Sequence, residues 1–545
     1  MGDRKRIEVF DSTLRDGEQG EGISLTIEDK LRIVRELDAL GIGYIEAGNP
    51  GSNPKDLAFF KELGSLRLTS AKLCAFGSTR RCGLAVGEDE NVRSLAGAET
   101  PVVALFGKSW DLQVRRVLHT GLEENLRMIE ETVAYFKAAG REVIFDAEHF
   151  FDGCASNAGY AMETLRVARR GGADVLCLCD TNGGTYTADL SRMTAEVTGA
   201  FGCRVAIHAH DDMGLAVANS MAAVDAGAVQ VQGTFIGFGE RCGNADLSTL
   251  IPNLQLKRGF ECVPSASMRE LTASARKIAE IANIPLPGSK PYVGASAFAH
   301  KAGMHIDAVT KLPCSFEHIR PEAVGNERRF LMSEMGGRAT VLRLIHKVEP
   351  GLDKHSEQTA RIVGRLKELE YEGYHFEGAQ ASVELLIRKT LGRYRPFFRL
   401  DHYKIIGEQP VRNPEECSTA VIKIRVGEKD EISAAQGDGP VHALDLALKK
   451  ALSVFYPSLA KVRLTDYKVR VIEPQHATAS KVRVLIESTD GREVWTTVGV
   501  SQDIINASWA ALADAIEYKL TLDTEWGAGP ARGKAKKDES PSEKG

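Results

Sequence analysis

Two histidines and one acidic residue of this chain could hold a divalent cation. His208 and His210 stand two apart in an apolar run, and residues two apart on a β-strand point to the same face. Arg15 and Asp16 directly follow another apolar run near the start of the chain. Two imidazoles and a carboxylate suit Zn²⁺, Mn²⁺ or Mg²⁺, and Asn244 could add a carbonyl oxygen. The alternative interpretation is a structural histidine pair without a metal.

A cation held in this way would polarise a carbonyl group of a substrate. Arg15 could then stabilise the oxyanion that develops when that carbonyl is attacked. A carbon nucleophile needs a base to remove a proton from carbon, and Glu148 and His305 are candidates for that role. By residue type alone, Glu148 could equally cap a helix or form an ion pair, and His305 could be an ordinary loop histidine.

Evenly spaced apolar runs in the first half of the chain must position these residues. Eight runs predict strands at Ile7–Phe10, Tyr44–Ala47, Lys72–Phe76, Val102–Phe106, Val143–Asp146, Asp174–Cys179, Arg204–His210 and Val229–Thr234. Helical patterns lie between them, for example at Ile27–Leu40, Leu122–Ala139 and Gly214–Ala226.

Alternating strands and helices of this number favour a (β/α)8 (TIM) barrel, whose active site lies at the carboxyl ends of the strands. The polar residues of the chain cluster at those ends: Arg15, Asp16, Glu46, Glu148, Asp180, Thr181, His208, His210 and Asn244. A doubly wound open sheet is the alternative, but no strand is followed by a glycine-rich dinucleotide fingerprint, and the spacing at Gly237–Arg241 does not fit one.

The pattern divides the chain into four parts. Residues 1–262 are predicted to form the catalytic barrel and residues 263–400 a helical linker with small subdomains. Residues 401–525 are predicted to form a duplicated α+β regulatory domain. The motif Asp401–Lys404 recurs loosely as Thr465–Lys468, and each copy is followed by a second strand and a helix. Residues 526–545 are rich in Gly, Lys, Glu, Ser and Pro, which predicts a disordered tail.

Composition excludes some classes of function and indicates a compartment. The 545 residues carry a net charge of −5, which gives no electrostatic reason to expect nucleic acid or a membrane surface as partner. No apolar run is long enough to span a bilayer. Ten cysteines are scattered without C-x-x-C spacing, which predicts reduced thiols in a cytoplasmic protein.

Three longer motifs carry a family resemblance: Asp11–Gln19 (DSTLRDGEQ), His208–Asp212 (HAHDD) and Gly239–Asn244 (GERCGN). They resemble the signatures of the DRE-TIM metallolyases, in the Claisen-condensing branch of 2-isopropylmalate, homocitrate and citramalate synthases. Gly437–Ala443 is similar to a loop of that branch's allosteric domain. Further stretches resemble the citramalate synthases: Pro50–Asp56, Phe76–Arg81, Phe106–Asp111 and Phe145–Gly153.

The resemblance implies condensation of acetyl-CoA with pyruvate and thioester hydrolysis to (R)-citramalate and CoA, on the way to isoleucine. The duplicated domain predicts inhibition by an amino acid, with isoleucine as the expected effector, and the length of the linker predicts a homodimer. The resemblance also implies roles for individual residues: metal ligands Asp16, His208, His210 and Asn244, a keto-oxygen contact from Arg15, enolisation by Glu148 and His305, and substrate contacts from Thr181 and Gln19. The alternatives are a sister synthase for a larger keto acid, a 3-hydroxy-3-methylglutaryl-CoA lyase-like enzyme, and a non-catalytic descendant.

The chain departs from the family pattern at several positions. Asp211 stands where the family usually has asparagine after the second histidine, and Phe316 replaces a tyrosine. Asn49, Ile236 and Phe238 also differ. The predicted metal ligands are intact.

Overall fold

The computed structural model describes residues 5–51, 54–64, 66–301, 303–330, 337–353, 356–376, 378–407, 418–472 and 480–528. Residues 529–545 of the predicted disordered tail and residues 52–53 of the segment Pro50–Asp56 lie outside this range. The chain forms two compact units, Met1–Ala299 with Leu312–Arg329 and His300–Lys311 with Phe330–Gly545.

The first unit contains a closed barrel of eight parallel strands in sequence order, and this confirms the predicted fold. The strands are β1 (Glu8–Asp11), β2 (Tyr44–Gly48), β3 (Lys72–Ser78), β4 (Val102–Lys108), β5 (Glu142–Glu148), β6 (Val175–Asp180), β7 (Arg204–Ala209) and β8 (Gln230–Gly233). Its helices are α1 (Ile27–Leu40), α2 (Pro54–Leu63), α3 (Glu90–Gly97), α4 (Asp111–Arg116), α5 (Leu122–Ala138), α6 (Phe150–Gly171), α7 (Thr187–Ala200), α8 (Ala216–Asp225), α9 (Leu247–Pro252) and α10 (Leu271–Ile281).

Local sequence explains where these elements begin and end. Helix α1 starts at a capping box, in which the Thr26 side chain accepts from the Asp29 N–H and Asp29 accepts in return. It ends at Gly41, whose φ of 94° is a backbone conformation that favours glycine. Along each strand, alternate residues face the helices or the barrel interior. The apolar residues that fill the interior include Phe10, Cys74, Ala104, Ile144, Cys177 and Ala206.

The second unit contains two three-stranded antiparallel sheets, each followed by a long helix. Its elements include helices α11 (Gly303–Lys311), α12 (Gly337–Val348), α13 (Glu357–Tyr371) and α14 (Gln380–Thr390). The first sheet comprises β11 (Arg399–Gly407), β12 (Ser418–Val426) and β13 (Lys429–Gly437), followed by α15 (Pro440–Ser453). The second comprises β14 (Arg463–Val471), β15 (Val482–Thr489) and β16 (Val494–Ser501), followed by α16 (Ile504–Ala528). Two short strands, β9 (Ala299–His300) and β10 (Arg329–Phe330), pair with each other.

The predicted duplication is present, but each half has three strands where the sequence pattern indicated two. Strand β13 was missed because its sequence, KDEISAAQG, is polar and most of its residues are exposed. It pairs with β12 through a two-residue turn at Gly427 and Glu428, and Gly427 has a φ of 58°. A glycine in such a turn is typical of a β-hairpin. Among the described residues, no helix combines the length and the apolar character needed to cross a bilayer.

Candidate functional site

Three of the predicted metal ligands meet at the carboxyl end of the barrel. His208 lies on β7, and His210 is the first residue after that strand. Asp16 lies in the turn after β1. The two histidine Nε2 atoms are 3.4 Å apart, and each is 3.8 Å from Asp16 Oδ2. All three side chains are buried, and one ligand atom from each lies within 4.8 Å of the others. The sequence prediction placed these residues together, and the fold does so.

Asn244 joins this group from the loop after β8. Its Nδ2 donates to Asp16 Oδ1 at 2.7 Å, and its Oδ1 is buried without a hydrogen-bond partner in the described part of the chain. The backbone of Asn244 bridges to that of His210. A Cβ atom on Gly239 would lie 2.4 Å from Asn244 Nδ2, so this loop requires glycine there. Asn244 therefore orients Asp16 and keeps an oxygen available at the cluster.

The protonation states of the cluster suit a cation. Burial alone would raise the pKa of Asp16, but Arg15, His208 and His210 outweigh it, and the pKa of this carboxyl lies well below its usual range. Burial and the neighbouring His210 lower the pKa of His208 to about 3. Burial also lowers the pKa of His210. A carboxylate facing two neutral imidazoles is the state that metal ligation requires, so the residues fit a divalent cation.

Arg15 is held rigidly beside the cluster. Its Nη1 contacts Asp16 Oδ2 at 2.8 Å and its Nε contacts Glu46 Oε2 at 2.7 Å. The guanidinium carbon lies 3.8 Å from the centre of the Phe76 ring. Glu46 is fully buried on β2 and also accepts a hydrogen bond from Ser12 Oγ. Two carboxylates and an aromatic face thus fix the cation of Arg15 at the barrel mouth.

The remaining predicted residues lie in different surroundings. Glu148 ends β5, and its Oε2 lies 2.5 Å from Lys108 Nζ, so the ion-pair interpretation of this carboxylate is realised. Thr181 Oγ1 accepts from the His149 N–H at 2.9 Å. Gln19 is exposed on the turn after Asp16. His305 is exposed on α11, in the second unit. Catalytic and substrate-contact roles of these residues remain predictions.

The chain matches three families along its length. Residues 6–282 match the family described as HMGL-like, residues 292–373 the homocitrate synthase post-HMGL domain-like family, and residues 377–520 the LeuA allosteric (dimerisation) domain. The (R)-citramalate synthase of Aquifex aeolicus is 50% identical over 524 residues, which cover 96% of this chain and 99% of the relative. That of Geobacter sulfurreducens is 48% identical over 519 residues, 95% and 98% of the two chains.

The chain belongs to the (R)-citramalate synthase family. The sister synthases are more distant among these relatives. A Methanopyrus kandleri protein named "Probable 2-isopropylmalate synthase" is 31% identical over 514 residues, 94% of this chain and 98% of the relative. The family resemblance read from the three motifs is thereby confirmed.

One of the departures from the family pattern, Asp211, has a local explanation, and Phe316 has none. Asp211 Oδ1 accepts from the N–H of Ala216, the first residue of α8, at 2.9 Å, and the side-chain oxygen of an asparagine can accept the same bond. Phe316 is 49% exposed after a short turn at Pro313–Ser315. Nothing in the described structure explains why phenylalanine stands there.

Sequence reasoning missed a second group of buried side chains, and it missed the ammonium group of Lys108. Asp146, Cys177 and Cys179 each place one ligand atom within 4.8 Å of the others inside the barrel. Burial and the nearby Glu46 carboxyl raise the pKa of Asp146 to about 7. Period-two alternation puts Asp146 on the same face of β5 as Glu148, and this signal could have identified it. Lys108 was missed because its partner lies on a neighbouring strand, 40 positions along the chain.

Proposed function

We propose that this protein condenses acetyl-CoA with pyruvate and hydrolyses the thioester, releasing (R)-citramalate and CoA. One observation carries the proposal: a carboxylate, two imidazoles and a fixed arginine converge at the barrel mouth of a chain half identical to a citramalate synthase. An acetyl donor and an α-keto acceptor are the substrates that such a centre would join.

The keto acid would bind at the cation cluster, the group formed by Asp16, His208 and His210. Asp16, His208 and His210 would hold a divalent cation, which supplies Lewis-acid polarisation of the keto carbonyl when bound. Asn244 would keep Asp16 oriented through its 2.7 Å hydrogen bond. Arg15 is already fixed by two carboxylates, so it can stabilise the developing oxyanion without reorganising. Thr181 and Gln19 would contact the substrate carboxylate and line the pocket.

Carbon–carbon bond formation requires a nucleophilic acetyl group. Glu148 would accept a proton from the methyl group of acetyl-CoA, with His305 as the second acid–base group. The methyl carbon would then form a bond to the keto carbon of pyruvate, and the keto oxygen would become the hydroxyl of the product. Water would attack the thioester carbonyl, the C–S bond would break, and the thiol of CoA would leave.

We further propose a cytoplasmic homodimer that isoleucine inhibits. The match of residues 377–520 to a LeuA allosteric (dimerisation) domain supports both the dimer and the regulation. The two tandem sheet-and-helix halves would provide a duplicated scaffold for an amino acid. The scattered cysteines without C-x-x-C spacing favour a reducing compartment.

Thiol release from acetyl-CoA tests this function directly. The full chain is assayed with pyruvate, 2-oxoisovalerate and 2-oxoglutarate, with Mn²⁺ or Mg²⁺ and with a chelator as control. Release with pyruvate alone, and its loss with chelator, is the expected result. The Methanopyrus kandleri relative makes 2-isopropylmalate synthase the second candidate, and faster release with 2-oxoisovalerate would favour it over our proposal.

A further inference from the structure

Lys108 stands beside the carboxylate to which we assign proton abstraction. Lys108 is the last residue of β4 and Glu148 the last residue of β5, and the two are direct partners in the strand register. Lys108 Nζ lies 2.5 Å from Glu148 Oε2. We propose that Lys108 is a positioning residue that aims Glu148 at the methyl group of acetyl-CoA. This inference rests on the proposed function.

The backbone that carries this ion pair is fixed by buried groups. Asn125 is completely buried, and its Nδ2 donates to the Lys108 carbonyl at 2.8 Å and to the Tyr160 hydroxyl at 2.7 Å. The Ser109 N–H donates to the Glu148 carbonyl at 3.1 Å. The side chains of Lys108 and Glu148 are only 15% and 23% exposed. The backbones of both residues are therefore held by buried hydrogen bonds, and the ammonium and the carboxylate meet at a mostly buried place.

A continuous series of contacts links this pair to the cation cluster. Lys108 Nζ lies 5.9 Å from the centre of the Phe106 ring, and that ring stacks on Phe76 with centroids 5.1 Å apart. Phe76 in turn lies under the Arg15 guanidinium. The rings of Phe106 and Phe76 therefore lie between the Lys108 ammonium and the Arg15 guanidinium. Lys108 thus sets the position of Glu148 relative to the residues that would hold the keto acid.

The ion pair also decides which oxygen acts as the base. Oε2 faces the ammonium and has no hydrogen-bond partner within the described residues, so the contact depends on charge. Oε1 is the carboxylate oxygen farther from the ammonium. The methyl proton of acetyl-CoA would move to Oε1, and the electron pair of the C–H bond would form the enolate of the thioester. Without the ammonium, the carboxylate is free to turn away.

The test compares Lys108→Met with Lys108→Arg, which retains the charge. We expect kcat for CoA release with pyruvate to fall by about 10- to 100-fold in Lys108→Met, the cost of a misplaced reacting group. KM for pyruvate should stay within about twofold, because the keto acid site is untouched. The kinetic isotope effect with trideuterated acetyl-CoA should rise as proton abstraction becomes slower. Lys108→Arg should recover most of kcat.

Lys72→Met is the matched control. It removes the ion pair of Lys72 with Glu142, whose atoms are 2.7 Å apart at the other end of β5. This variant should leave kcat and the isotope effect unchanged. Melting temperatures of all variants, followed by circular dichroism, show whether any loss reflects unfolding.

Several results would overturn the positioning role. An unchanged kcat and isotope effect in Lys108→Met would do so, and so would a loss of kcat without a change in the isotope effect. A rise confined to KM for acetyl-CoA would make Lys108 a binding residue instead. Wild-type release with pyruvate beside an unaffected Lys108→Met contradicts this inference alone. No wild-type release with any keto acid contradicts the proposed function and removes this inference with it.

Discussion

Arg15 illustrates how single residues set the chemistry of this site. It is bonded to the carboxylates of Asp16 and Glu46 and lies on the face of Phe76. Burial by itself would lower the pKa of Arg15, but the two carboxylates raise it above its usual value. The guanidinium therefore stays charged and oriented before any substrate arrives.

Replacing Arg15 with lysine should keep the charge and lose the function. A lysine ammonium cannot reproduce the planar fork that reaches Asp16 and Glu46 together. We expect kcat/KM with pyruvate to fall by about 100-fold, as for the loss of one preorganised oxyanion donor. Arg170→Lys is the control, because Arg170 makes a similar two-bond contact with Glu130 on the surface, with both distances 2.7 Å. Steady-state thiol release measures kcat/KM for both variants. An equal fall in kcat/KM in the two would refute the role assigned to Arg15.

Glu148→Gln should separate binding from proton abstraction. The amide keeps the shape of the side chain but cannot accept the methyl proton, so kcat should fall by about 100-fold or more. Pyruvate should still bind in the presence of Mn²⁺, with a Kd close to that of the wild type in titration calorimetry. Substantial turnover in this variant would mean that another group is the base.

Asp146 should make stability depend on pH in a defined window. Burial and Glu46 raise its pKa from 3.8 to about 7, so the folded protein retains a proton that the unfolded chain releases. The contribution of Asp146 to the free energy of unfolding is fully present below pH 3.8 and falls as the pH rises from 3.8 to about 7. Above about pH 7 it no longer changes. Asp146→Asn should therefore match the wild type near the acid end and melt higher above neutrality, by on the order of 5 °C. Thermal unfolding across this range checks the prediction, and a pH-independent difference would contradict it.

At the scale of elements, the loop after β8 completes the cation cluster. Its residue Asn244 bonds to Asp16, and Gly239 makes room for that contact. Gly237 and Gly243 in the same loop have φ values of 84° and 88°, which allows the chain to fold back on the cluster. The motif GERCGN thus serves the site through backbone shape as well as through its asparagine.

Gly239→Ala should weaken cation binding. The added Cβ would lie 2.4 Å from Asn244 Nδ2 and 3.2 Å from Asp16 Oδ1, so both side chains must shift. We expect the Kd for Mn²⁺ to rise by about 10-fold or more, as for the loss of a group that orients a ligand. Gly97→Ala at the end of α3 is the control, because its Cβ would have no neighbour within 4 Å. Titration calorimetry of both variants decides, and an unchanged Kd in Gly239→Ala would contradict this account.

At the scale of the whole molecule, the cation cluster and the residues that match an allosteric domain belong to different compact units. Residues 377–520, which match the allosteric domain, lie wholly in the second unit, whereas the cation cluster lies in the first. The predicted boundaries at 262/263 and 400/401 remain proposals for how the chain divides.

Isoleucine should inhibit the full chain, and the full chain should be a dimer. We expect isoleucine, but not lysine as the control amino acid, to lower the rate of thiol release with pyruvate. Light scattering should give twice the chain mass of 59.2 kDa. A chain that ends before residue 377 should lose the response to isoleucine. Persistent inhibition of that shorter chain, or a fully active monomer, would contradict the regulatory proposal.

The sequence by itself predicted the barrel, which the structure confirms, and the three residues that meet at its mouth as candidate cation ligands. Period-two alternation, regular spacing of strands and two histidines separated by one residue are local patterns, so they can be recognised without tertiary structure. The same local logic predicted α1 with the bounds that the structure has, Ile27–Leu40. It failed for β13 because a polar strand at the side of a sheet has no strong apolar pattern.

Only the tertiary structure decided which groups surround those ligands. Lys108 meets Glu148, and Asp146 meets Cys177 and Cys179, because neighbouring strands of the barrel bring distant positions into register. No pattern within one strand reports what its neighbour carries. Local periodicity thus predicts the candidate ligands, whereas strand pairing and burial set the charge and orientation of the groups beside them.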